Sequence, residues 1–133
     1  AREAGAKYVI VDAAAGIGCP VISSIAGSDF LIVVVEPTRY SIGTASKVIK
    51  IGKAFGVEIG VIVNKFDINI DFLEYIKKWA SEKNVEILGM IPFDDAVIRA
   101  YVNMQSLLDF ASDSKATKSL REVAERILVR FGE

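Results

Sequence analysis

With 133 residues, 52% of them hydrophobic and a formal net charge of −1, the chain has material for one domain with a real core and carries no electrostatic footprint for direct nucleic-acid binding. The absence of histidine excludes His-based catalytic triads and His metal sites, and a single cysteine excludes an intrachain disulfide and fits a reducing, cytoplasmic setting. Mean hydropathy is +0.38, but the longest apolar run, Phe30 to Val35, is far too short to span a bilayer.

The chain opens Ala1-Arg2-Glu3, with no methionine and no secretory pattern, and runs almost at once into the first strand-like segment, Lys7 to Asp12. Its core, Tyr8-Val9-Ile10-Val11, suits a strand buried on both faces. Pro20 fits the first turn of a short helix that stops near Gly27. Phe30 to Val35 reads as a second strand, closed by Glu36-Pro37-Thr38. Ser41 is placed to cap a helix running to about Phe55 and ending at Gly56. Glu58 to Asn64 reads as a third strand. Asp71 is placed to cap a helix in which Phe72, Tyr75, Ile76 and Trp79 share one face. Val85 to Ile91 reads as a fourth strand, closed by Pro92, with a short helix following Asp94 or Asp95 through Tyr101. A last helix begins near Ser114, carries Ala116, Leu120, Val123, Ala124, Ile127 and Leu128 on one face, and frays at Gly132; Gln105 to Asp113 shows the weakest pattern. Helix-length intervals without hairpin signals separate the last three strands, which predicts crossovers and a mostly parallel sheet with flanking helices.

Three strand ends carry chemistry. Asp12, followed by Ala13-Ala14-Ala15-Gly16-Ile17-Gly18-Cys19-Pro20, sits where open α/β sheets bind ligands. A carboxylate there can hold Mg²⁺ through water near a γ-phosphate, in the manner of a Walker-B or switch element; it can equally be a solvated or capping aspartate. Gly16 can offer its N–H to a phosphate oxygen, and both glycines also suit a tight turn at positive φ. Asn64-Lys65-Phe66-Asp67 closes the third strand. An asparagine there can present its amide to a base edge, and the following aspartate can fix a loop or contact a purine; the same residues form ordinary turns. Ile91-Pro92-Phe93-Asp94-Asp95 can flank an aromatic base or simply lead a helix with Asp94 or Asp95 as its N-cap. Cys19, at the start of a helix, reads first as a small buried hydrophobe, with a metal or iron–sulfur cluster shared across a dimer axis as the alternative.

Taken in order, Val11-Asp12 … Gly16-Ile17-Gly18-Cys19-Pro20-Val21-Ile22, Glu36-Pro37-Thr38, Val63-Asn64-Lys65-Phe66-Asp67 and Gly89-Met90-Ile91-Pro92-Phe93-Asp94 resemble the MinD/Mrp/ParA group of P-loop ATPases, which also contains the nitrogenase iron protein. The match is closest to archaeal MinD-superfamily ATPases with an inserted ferredoxin domain. The resemblance covers nearly the whole chain and implies the C-terminal half of a three-layer α/β/α P-loop NTPase fold, so that residues 1–133 form a single α/β domain belonging to a larger nucleotide-binding one. It implies ATP and Mg²⁺ as ligands and a nucleotide-dependent homodimer. By the same resemblance Asp12 is the Mg²⁺-linked switch acid and Gly16 the γ-phosphate sensor. Asn64 is then the adenine contact, with Lys65 and Asp67 beside it and Pro92, Phe93 and Asp94 lining the other side of the base. Cys19 matches loosely the cysteine that helps hold a cluster between subunits in nitrogenase-type iron proteins.

Two departures stand out. Relatives usually carry a proline before the switch glycine, where this chain has Ala15. Residues 1–133 also contain no G-x-x-x-x-G-K-[ST]; Gly52-Lys53 lies in a helical pattern and is followed by Ala54. These residues alone are therefore expected to bind ATP weakly and not to turn it over, with the phosphate cradle supplied by a P-loop half or a second subunit. A non-catalytic interaction module, or an iron–sulfur assembly module of the same fold, is the alternative. Without a P-loop strand, Tyr8 to Asp12 is expected to form an apolar sheet edge that favours self-association.

Overall fold

The computed structural model describes residues 5–14 and 16–132. Its centre is β2 (Glu58–Asn64), with β1 (Phe30–Val35) on one side and β3 (Glu86–Ile91) on the other, all parallel, in the order β1-β2-β3. Helix α1 (Cys19–Ala26) precedes the sheet, and α2 (Arg39–Ala54) and α3 (Asp71–Glu82) form the two crossovers. After β3 come α4 (Asp95–Val102), the single turn α5 (Leu107–Phe110) and the long α6 (Lys115–Arg130). The expected α/β class, a parallel sheet with flanking helices, is the class observed.

β2 is apolar from Ile59 to Val63 because both of its faces are covered there. Ile59, Val61 and Val63 join Val33 and Val35 of β1 beneath Ile42, Ala45 and Ile49 of α2 and Ile76, Trp79 and Ala80 of α3. The Trp79 indole N–H donates to Ser46 Oγ at 2.8 Å, so the one polar atom of that ring is satisfied where α3 meets α2. On the opposite face Ile62, Leu88 and Ile91 pack against Ala116 and Val123 of α6. A register shift in the β2–β3 ladder leaves Leu88 without an opposite residue, and Arg126 of α6 donates to the Leu88 carbonyl at 2.9 Å.

The first expected strand is not formed. Tyr8 to Asp12 pair with nothing in the sheet, and Val9, Ile10 and Val11 are 63%, 95% and 59% exposed. An apolar run becomes a strand only where a ladder partner takes its N–H and C=O groups. β1 gives its ladder to β2, and its other side is the sheet edge, with Ile32 and Val34 exposed on the face away from α2. The unpaired apolar edge expected at Tyr8 to Asp12 is therefore β1 itself. Tyr8 instead lies beside Phe131, which meets Phe30 edge-on at 5.6 Å between centroids.

Smaller differences have local causes. α2 starts at Arg39 because the Thr38 hydroxyl, not Ser41, is the cap; it accepts the Ser41 amide at 3.2 Å, while Ser41 Oγ accepts the Glu36 amide. Asp71 falls inside the first turn of α3, where Asn69 Oδ1 accepts the Phe72 amide. α6 begins beside Ser114, as expected, and the Ser114 hydroxyl caps it by accepting the Thr117 amide. Within the weakly patterned Gln105 to Asp113, Ser106 caps α5.

Gly60 of β2 is tightly enclosed. A Cβ there would lie 2.5 Å from Leu88 Cδ1 and 2.7 Å from Leu88 Cγ. Because Leu88 is buried, Gly60→Ala should destabilise the fold by about 1–3 kcal/mol. Thermal unfolding of the variant beside wild type measures this as a lowered midpoint.

Candidate functional site

Parallel pairing sends every strand out of the sheet at the same rim. Val35 pairs with Val63, and Asn64 with Ile91, so the segments that follow β1, β2 and β3 emerge side by side. Glu36, Asn64 to Asp67 and Pro92 to Asp94 are thus neighbours by topology.

Direct contacts then tie these segments together. Asn64 is half-buried; its Oδ1 accepts the Lys65 amide at 3.0 Å, and its Nδ2 makes no hydrogen bond among the described residues. Lys65 is left-handed, at φ 52° and ψ 42°, a conformation unfavourable for a residue with a Cβ. Its ammonium pairs with Glu36 Oε1 at 2.8 Å, joining the end of β2 to that of β1. Asp67, in the 3-10 turn Phe66–Ile68, accepts the Phe93 amide at 2.6 Å through Oδ1. Its Oδ2 lies 3.8 Å from Lys115 Nζ at the start of α6. Pro92 is half-buried, and Phe93 is 38% exposed beside this turn.

Asp94 has both oxygens committed. Oδ1 accepts the Ala96 amide at 2.9 Å, capping α4, and Oδ2 accepts the Ala116 amide at 3.0 Å in the first turn of α6. The Ala116 amide, then the Ala96 amide, holds its pKa below the ordinary carboxylate value; desolvation opposes them, and Ser114 and Lys115 add to the lowering. Of the two roles open to Asp94, the geometry displays the cap.

Asp12, Gly16 and Cys19 are exposed, and Asp12 makes no hydrogen bond or ion pair among the described residues. Gly16 sits at φ 105°, the backbone a glycine turn requires. Gly18 does not; it is the extended N-cap of α1, at φ −74°. Cys19 opens α1 and is exposed rather than the buried hydrophobe expected, because Val21 and Ile25 form the buried stripe of that helix. Ala15, the position of the missing proline, lies outside the described residues.

Sequence reasoning singled out Asn64, Lys65, Asp67 and Asp94 but missed Lys115. One signal was available: a lysine immediately after an N-cap serine opposes the helix dipole, which asks for a nearby acid.

The sheet order and this rim define an α/β module of the MinD/ParA P-loop NTPase fold. MinD from Aquifex aeolicus superposes with a TM-score of 0.79 at 22% identity, over 96% of this chain and 56% of that one. MinD from Pyrococcus horikoshii, solved with Mg-ADP, gives 0.77 at 21% identity, over 91% of this chain and 50% of that one. Residues 9–130 match the family described as 4Fe-4S iron sulfur cluster binding proteins, NifH/frxC family, and the chain belongs to that family. An uncharacterized ATP-binding protein of Methanocaldococcus jannaschii is 34% identical over 123 residues, which are 92% of this chain and 46% of that protein. The chain spans less than half the length of the curated relatives it matches, 42% of one and 46% of another. Among the described residues no helix is long and apolar enough to cross a membrane.

The cluster in the family description needs four thiolates. Cys19 is the only cysteine in the sequence, and the described residues contain no group of three or more His, Cys, Asp or Glu that could hold a metal ion. Two copies related by a dyad would bring two thiolates. The residues present do not fit the cluster by themselves.

Because Asp94 serves two helices, Asp94→Ala should cost about 1–3 kcal/mol near neutral pH. A carboxyl whose pKa is depressed on folding contributes stability above its unfolded value of about 3.9 and loses it as pH falls through the lower folded value. Denaturant titrations of wild type and variant should therefore differ at pH 7 and converge in strong acid.

Proposed function

We propose that residues 1–133 form the C-terminal, switch-and-base part of a larger nucleotide-binding domain, and that the rim receives the base of ATP. The observation that carries this reading is the convergence at one rim of Asn64, with a free amide donor, and the Pro92–Phe93 segment across the β2–β3 pair. The left-handed Lys65 supports it, since backbone strain of this kind gathers at ligand clamps and switch regions. The name of the M. jannaschii relative, and the Mg-ADP bound to P. horikoshii MinD, support ATP with Mg²⁺ as the ligand.

In this arrangement Asn64 donates to an acceptor nitrogen of the base, and Phe93 offers an exposed ring beside it. Lys65, Asp67 and Asp94 belong to the frame around the base. Asp12 holds Mg²⁺ through water, and the Gly16 N–H senses the γ-phosphate. Residues 1–133 contain no Walker-A sequence, so the phosphate cradle comes from a P-loop half in the same polypeptide or from another chain. The unpaired side of β1, with Ile32 and Val34 exposed, is the seam at which that half adds its strand. Hydrolysis belongs to the completed domain, a homodimer by analogy with its class.

Calorimetric titration with ATP tests the reading. In the intact polypeptide Asn64→Ala should weaken binding by about tenfold, the worth of one good hydrogen bond, without loss of fold. Residues 1–133 expressed alone should bind weakly and hydrolyse nothing; sustained ATP turnover by that segment would overturn the assignment of the phosphate cradle elsewhere.

A further inference from the structure

We infer that the outward face of α4 is a self-association surface, on which α4 of a second copy of this chain packs antiparallel about a dyad; the inference does not rest on nucleotide binding. Helix α4 hides small residues and shows large apolar ones. Its buried residues are Ala96 and Ala100, while Val97, Ile98, Tyr101 and Val102 are exposed. These four fall at i, i+1, i+4 and i+5, which is one face of the helix, and Met104 extends the stripe beyond its end. Tyr101 is 84% and Met104 96% exposed. By contrast, α3 turns Glu74, Lys77, Lys78 and Glu82 to solvent.

The area left open by this stripe is on the order of 600 Å², the upper end for an apolar patch on a monomer. Two copies meeting there would cover about 1,200 Å², the lower end of a specific interface. The stripe is therefore large enough for a weak, reversible dimer and too small for a permanent one. Helix α4 follows β3, at the opposite margin of the sheet from β1, the edge proposed to receive the P-loop half. A second α4 is thus favoured over that half as its cover.

Charge selects the occupant and its orientation. Asp95 and Arg99 lie one turn apart along one border of the stripe, beside Ile98 and Val102. Both are exposed, and neither the carboxylate nor the guanidinium makes a hydrogen bond or ion pair among the described residues. A dyad perpendicular to α4 makes the patch meet its own copy end for end. It sets Asp95 against the partner's Arg99 and Arg99 against the partner's Asp95, with Val97 and Ile98 near the axis. A parallel pairing would set like charges together. Antiparallel packing also opposes the two helix dipoles. The surface thus carries both signs of its own complement, and a partner of uniform charge matches only one of them.

The test uses the intact polypeptide, freed of nucleotide, in sedimentation velocity at rising concentration. Wild type should pass from monomer to dimer at about 10–100 μM, in keeping with an interface of this size. Ile98→Glu, which places a carboxylate near the axis, should weaken association by at least about tenfold. Asp95→Arg and Arg99→Asp should each weaken it by about tenfold, since two pairs turn repulsive in every dimer. Mixed together, these two variants should associate, because each supplies the sign that the other lacks; recovery on mixing also shows that both are folded. The double reversal, Asp95→Arg with Arg99→Asp, should associate by itself. Nitration of Tyr101, read by peptide mass, should fall across the concentration range in which wild type dimerises. A wild type that stays monomeric, an association untouched by Ile98→Glu, or charge variants that depart from this pattern would each overturn the inference. Tyr101 shielded at every concentration would also overturn it, and would assign the stripe to another segment of the same polypeptide. Failure to bind ATP would count against the proposed function alone and leave this result standing.

Discussion

Everything at the rim depends on the parallel ladder through β2. Its register sets Val35 level with Val63 and Asn64 level with Ile91, so three chain exits are fixed side by side before any polar contact forms. Burial enforces that register. Val61 and Val63 are fully buried against α2 and α3, and Ile62 faces α6. A slip of one residue would turn the first pair toward α6 and Ile62 toward α2. The hydrophobic layer thus specifies, at no distance from the chemistry, which polar side chains become neighbours.

A second tier of contacts locks the exits once they are adjacent, and α6 is its backbone. The first turn of that helix is held by Asp94 through the Ala116 amide, and Lys115 faces Asp67. Midway, Arg126 takes the carbonyl left over by the irregularity at Leu88. At the far end Arg130 bridges Glu58 and Glu86, at the amino ends of β2 and β3. Exposed ion pairs such as these last two add little stability. Their effect is geometric: α6 is fastened along the length of the sheet, and a helix so placed cannot shift without moving Asp67 and Asp94.

The sequence displayed those parts whose structure is decided locally. β2, β1 and the long helices follow from apolar runs and helical spacing, and the start of α6 was legible near Ser114, whose hydroxyl oxygen accepts an amide of its own first turn. Tyr8 to Asp12 was misread for the converse reason. Its composition is that of a central strand, but strandedness is a property of a pair, and no composition reveals whether a partner is present. At the rim, Asn64, Asp67 and Asp94 were recognisable by position after apolar runs. Which role each takes was not, because the deciding partners, the amides of Phe93 and Ala116 and the ammonium of Lys115, lie 22 or more residues from the carboxylate they meet or in another element. Cys19 went wrong through a different route: a thiol is commonly buried, but the apolar stripe of α1 runs through Val21 and Ile25 and leaves position 19 outside it.

These observations divide the chain by how far each function is built into it. The part of the rim proposed to meet the base is preformed: Asn64, Lys65, Asp67, Phe93 and Asp94 are each placed by a hydrogen bond or ion pair within residues 36–116. The phosphate end is not. Asp12 and Gly16 lie on exposed backbone without a ladder, and β1, the strand nearest to them in sequence after α1, keeps an open edge. A carboxylate can place a metal only as well as its own backbone is fixed, and under the proposed function that constraint would come from a strand paired to β1. Recognition of the base and chemistry at the phosphate are therefore separable physical problems in this fold. In the proposed reading the first rests on contacts among these residues, and the second on a strand added beside β1.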